Sequence, residues 1–109
     1  MTDTDKIAKA NDLLRQTFLT GKVVMTAGIY SLPDDTREEI VTKVRGFDAF
    51  TEDNDPYREH DFGAFEQDGV GKVFWKIDYY DPSLTRGSED PADPKQTRRV
   101  LTILLAEEY

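Results

Sequence analysis

Apolar residues change their spacing along this chain, and each change marks an element. From Asp5 to Leu19, Ile7, Ala10, Leu13, Leu14, Thr17 and Phe18 recur at three- and four-residue steps, the period of one helix face. Asp3, Thr4 or Asp5 can cap this helix, and Gly21 is its expected stop. Lys22 to Tyr30, KVVMTAGIY, predicts a buried strand whose end Gly28 weakens. Pro33-Asp34-Asp35 opens a second helix, Asp35 to Arg45, with Ile40, Val41 and Val44 as its stripe and Gly46 as its stop.

Beyond Gly46 the helical period disappears. Phe47 to Tyr57, FDAFTEDNDPY, is loop by composition, since Asp, Asn and Pro favour turns. Phe62 to Glu66 and Lys72 to Tyr80 are short aromatic and β-branched runs, and the Asp68-Gly69 pair between them predicts a hairpin. On the second of these strands Val73, Trp75, Ile77 and Tyr79 share one face, the expected core face. Lys72, Phe74, Lys76, Asp78 and Tyr80 share the other. If Phe74 and Tyr80 were exposed together, they would form an apolar patch that calls for a partner. Pro82 to Lys95 is a second long loop, broken by Pro82, Pro91, Pro94 and Gly87. The last apolar run, Thr97 to Ala106, fits either period. Its β-branched Val100, Thr102 and Ile103 favour a strand.

The order α-β-α-β-β-β predicts one α+β domain over residues 1–109. A sheet of about four strands, mainly antiparallel, would carry two helices on one face. The length of 109 residues allows one modest core. With no Cys there is neither a disulfide framework nor a thiolate metal site. No apolar run nears the roughly 20 residues of a membrane span, and the opening MTDTDKIAKAND is too polar for a signal peptide. The expected address is the cytoplasm.

Charge alters the functional picture because it is unevenly spread. Residues 48–93 hold 13 Asp and Glu against 4 Lys and Arg, a balance of −9 within a chain of net charge −8. Such an excess repels phosphate backbones, so direct nucleic-acid binding is not expected. A partner with a basic surface is.

The stretch Asp53 to Asp81 also gathers the only His, the only Trp and three of the five Tyr. His60, flanked by Asp53, Asp55, Glu59 and Asp61, is the first chemical candidate. Imidazole and carboxylates can hold a transition metal or move a proton near neutral pH. His60 and Asp61 are the metal candidates, and His60, Asp61, Lys76 and Asp78 the catalytic ones. The bland alternative, in which His60 merely orders its loop, is favoured over both. There is no HExxH, no second His and no calcium-loop pattern. Lys76, Asp78 and Tyr80, two apart on one strand face, form a second candidate that reads equally well as a lateral ion pair beside a ring. No nucleophile elbow and no phosphate-cradling glycine loop occurs, and no cofactor is expected.

Five longer strings carry a family resemblance: VVMTAGI (Val23 to Ile29), FDAFTEDNDPYREHDFGAF (Phe47 to Phe65), FWKIDYYD (Phe74 to Asp81), DPADP (Asp90 to Pro94) and RVLTILLAEEY (Arg99 to Tyr109). They resemble a family of small proteobacterial proteins of unknown function, often plasmid-borne. That resemblance implies no activity. A place on mobile elements would suit a small acidic inhibitor whose carboxylates mimic nucleic-acid phosphates. The expected function is therefore a protein-binding or regulatory module that presents Asp53, Asp55, Glu59 and Tyr80. A small metal-dependent or acid–base hydrolase centred on His60 is the alternative, and a homodimer joined through a sheet edge is a third possibility.

Overall fold

The computed structural model describes residues 2–109. Helix α1 spans Asp3–Thr17. Thr2 is its cap: its hydroxyl accepts the Asp5 N–H at 3.1 Å, and the Asp5 carboxylate accepts the Thr2 N–H at 3.3 Å, a reciprocal capping box. The cap thus stands one residue ahead of the three candidates. The helix also stops before Gly21, with Phe18 left-handed (φ 61°) and its N–H donated to the Leu14 carbonyl.

The face that α1 buries differs from the expected stripe. Ile7, Asn11, Leu14 and Arg15 are buried, whereas Leu13 is 49% exposed. The helix is rotated because Asn11 and Arg15 find polar partners beneath it, which makes their burial tolerable.

Strand β1 covers only Lys22–Met25. The expected strand through Tyr30 is corrected here, since Ala27–Tyr30 forms a short helix, α2. Thr26 N–H still bonds the Ile103 carbonyl, but Gly28 N–H is taken by the Glu108 carboxylate. The chain therefore leaves the sheet, and Ile29 turns fully into the core. Helix α3, Asp34–Arg45, buries Ile40 and Val44 and ends at Gly46 as expected.

Strands β2 (Phe62–Gln67), β3 (Gly71–Tyr80) and β4 (Arg98–Leu105) complete the sheet. The hairpin between β2 and β3 turns through Gly69 (φ 76°) and Gly71 (φ 108°), a conformation glycine adopts without steric cost. The spatial order is β1-β4-β3-β2. Two pairings are antiparallel and β1–β4 is parallel, so the sheet is mixed. The architecture is the expected single α+β layer pair. Val73, Trp75, Ile77, Leu101 and Ile103 form one core with Leu14, Ile29, Ile40 and Val44, so the helices cover one face of the sheet. A short 3-10 turn, Ala106–Glu108, closes the chain. On the uncovered face Phe62, Phe74 and Tyr109 pack together.

Candidate functional site

The loop between Gly46 and β2 lacks regular structure, yet Thr51, Asn54 and Asp55 are hydrogen-bonded within it. Asn54 accepts the Thr51 N–H and donates to the Ala49 carbonyl, both at 2.9 Å, and Asp55 N–H bonds the Thr51 carbonyl. Phe47 sets its ring edge-on to the buried Trp75 at 5.5 Å. Phe50 then stacks on His60, centroids 4.0 Å apart and planes 3° from parallel.

His60 is held on several sides at once. Its Nδ1 lies 2.9 Å from the Asp12 carboxylate of α1, and its Nε2 lies 3.7 Å from that of Asp55. Its backbone N–H bonds Asp55 as well. Both His60 (φ 57°) and Arg58 (φ 59°) adopt the left-handed conformation, uncommon outside glycine but better tolerated by His. Asp12 is braced by the buried Arg15 at 2.8 Å. The Arg15 guanidinium lies 5.5 Å from the Phe50 and Trp75 centroids and donates to the Arg45 carbonyl. Asp12, Phe50, Asp55 and His60 line an open cleft of about 870 Å³ between α1 and the loop, together with Lys9, Glu52 and Arg58.

The remaining candidates separate. Asp53 is exposed on the loop, and Asp55 is buried against His60. Glu59 points away from the cleft, accepting the Tyr79 hydroxyl at 2.8 Å. Asp61 is half-buried, and burial first, then the neighbouring Glu59, Asp55 and Asp78 charges, push its carboxyl pKa up. Lys76 and Asp78 form a partly exposed ion pair at 3.1 Å. With Tyr80 they line a different hollow, on the uncovered sheet face. His60 lines the first cleft and Asp78 the other hollow, so His60, Asp61 and Asp78 do not share one pocket. Among the described residues no three His, Asp or Glu side chains gather so as to hold a metal ion, and His60 and Asp61 gain no third donor.

Sequence reasoning missed Asp12, Arg15 and Phe50. It also missed a buried chain of hydrogen bonds behind the cleft. Arg99 Nε donates to Asn11 Oδ1 at 2.7 Å, and Asn11 Nδ2 donates to the Tyr79 hydroxyl and the Glu59 carbonyl. Burial, first among its causes, raises the Tyr79 pKa. A polar Asn four residues after Ile7 on the core stripe was the available signal.

The fold and loop define a small α+β domain whose irregular acidic segment is braced by one helix and one sheet edge. The chain belongs to the family described as "Protein of unknown function (DUF3768)", which it matches over residues 25–108. No curated protein and no solved structure matches it. Among the described residues no helix is long and apolar enough to cross a membrane.

Proposed function

We propose that the chain is a small acidic binding module that docks a basic protein surface against the 47–61 loop. One observation carries this reading: Asp48, Glu52 and Asp53 are exposed on a backbone braced by Asn54, Asp55 and His60. Carboxylates on a pre-ordered loop lose little further entropy on binding. The −9 balance of residues 48–93 would steer a cationic partner toward them. An inhibitor or nucleic-acid mimic carried on mobile elements, acting from the cytoplasm, is the setting this reading favours.

The test compares wild type with a Glu52→Lys, Asp53→Lys double variant in affinity capture from bacterial lysate, followed by reconstitution with the purified captured protein. A complex that forms with wild type, weakens with salt and is lost in the variant supports the reading. Equal capture by both proteins, or no complex on reconstitution, rejects it.

A second reading, acid–base hydrolysis at His60, is favoured by the Asp12 carboxylate on Nδ1, which could fix the ring for proton transfer. It requires a free Nε2, and Asp55 stands on that side. Turnover of ester or phosphodiester substrates, lost alike in His60→Gln and Asp12→Asn, would establish it. No turnover by the wild type would remove it.

A further inference from the structure

A second concavity lies away from the His60 cleft, between α1, the start of β4 and the 82–97 loop. It encloses about 580 Å³, within the range of small-molecule sites. Ala10, Leu13, Leu84 and Pro94 make its walls apolar. Leu13 and Leu84 remain 49% and 48% exposed, and Leu84 is held left-handed at φ 62°.

The charges at this groove all have one sign. Lys22, Arg98 and Arg99 line it, and no Asp or Glu does. Two acids of the adjoining loop are engaged within it: Asp90 accepts the Ala92 N–H, and Asp93 accepts the Lys95 N–H and the Gln96 side-chain amide, while Glu89 is exposed and does not line the groove. Among the described residues, Lys22, Arg98 and Arg99 have no carboxylate within 4.0 Å.

Arg99 is the most informative of the three. It is 8% exposed, a burial that a guanidinium ordinarily tolerates only with a counter-ion. Nε is taken by Asn11 and Nη2 by the Pro91 carbonyl at 2.5 Å, while the Tyr79 ring lies 5.2 Å from the guanidinium carbon. Nη1 has no hydrogen-bond partner among the described residues and is not among the side-chain nitrogens sealed from solvent. Glu59 is reached only through Tyr79 and Asn11. Burial lowers the Arg99 pKa, with Tyr79 and Glu59 opposing that shift.

We propose that this groove binds a small amphipathic carboxylate, its anionic head at Arg99 and the Lys22–Arg98 rim and its apolar body along Leu13, Leu84 and Pro94. The head supplies the counter-ion that the protein does not, and the body covers the exposed leucines. An ordinary inorganic anion satisfies only the first requirement, and a cationic amphiphile only the second.

The test is calorimetry with amide chemical-shift mapping on the full chain, using decanoate, decyltrimethylammonium and acetate as probes below their aggregation concentrations. Decanoate is expected to bind, shifting the amides of residues 10–13, 84 and 97–99, with the other two at least about tenfold weaker. Replacement of Arg99 also strips Asn11 of a partner, so the variants are taken at the exposed rim: Lys22→Glu with Arg98→Glu, and separately Leu13→Glu. Each should weaken decanoate by about tenfold or more while leaving the unfolding midpoint near that of wild type. Equal affinity for decanoate and decyltrimethylammonium would overturn the proposal, as would acetate binding as tightly as decanoate. So would decanoate binding that is absent in the wild type or unchanged in both variants.

Discussion

Asn11 and Arg99, 88 residues apart, meet through a buried 2.7 Å hydrogen bond from guanidinium Nε to amide Oδ1. The same amide donates on its other side to the Tyr79 hydroxyl and the Glu59 carbonyl. One helix residue thus ties β3, β4 and the end of the acidic loop together. Both natural halves of the amide, acceptor and donor, are in use.

Asn11→Leu should therefore destabilise the protein even though it restores an apolar helix stripe. Leucine leaves a buried guanidinium nitrogen without its acceptor and the Glu59 carbonyl without its donor, at about 1–3 kcal/mol for each such group. Urea unfolding is the measurement. A variant as stable as wild type would mean that water replaces the amide at low cost.

Trp75 is fully buried in the core it shares with Leu14, Ile29, Ile40 and Val44, edge-on to the loop ring Phe47, so Trp75→Ala should cost about 3–5 kcal/mol. Gly63, its cross-strand partner, offers an independent check of the same packing. A methyl group at Gly63 would meet the Trp75 indole nitrogen and the Phe47 ring at less than 3.0 Å. Gly63→Ala should lower the unfolding midpoint despite adding only one carbon, and an unchanged midpoint would contradict the close approach.

The strands were legible because a period of two is local. Val73, Trp75, Ile77 and Tyr79 alternate with Lys72, Phe74, Lys76, Asp78 and Tyr80 in a ten-residue strand, and Asp68-Gly69 marks the turn. The site was less legible because its partners are distant: Asp12 meets His60 across 48 residues, and nothing in either segment specifies the other. Lys22 to Tyr30 misled for a related reason. Its apolar content predicts burial correctly for Ile29, but the Glu108 carboxylate that turns Gly28 out of the strand lies 80 residues away. On α1, Leu13 fits the apolar spacing better than Asn11, and only the polar groups of β3 and β4 reverse that preference.

His60 sits left-handed while making ring contacts, so two substitutions separate backbone strain from lost packing. His60→Ala and His60→Gly both remove the Asp12 and Phe50 contacts, but only Ala keeps a Cβ in the strained region. Ala should be less stable than Gly by about 1 kcal/mol, the left-handed cost outweighing the entropy that Gly ordinarily loses. Thermal unfolding gives the order, and hydrogen exchange in residues 47–61 should quicken in both variants. Gly less stable than Ala would show that the conformation at 60 carries no strain.

Asp61 supplies a pH dependence with an unusual sign for a carboxylate. Burial and the Glu59, Asp55 and Asp78 charges raise its folded pKa above the ordinary 3.8, so the folded state holds the proton more tightly than the unfolded chain. Stability contributed by this group is full at low pH and falls as pH climbs from 3.8 through the raised folded value; above it the ionised carboxylate opposes folding. Asp61→Asn removes that opposition. The variant should unfold at a higher temperature than wild type at pH 7, and the difference should vanish below pH 3.8. Carbon-detected titration of the Asp61 carboxyl should give a midpoint above 3.8 in the folded wild type. A variant less stable at pH 7, together with a midpoint at or below that value, would mean that the hydrogen bond to the Asp61 backbone N–H outweighs burial.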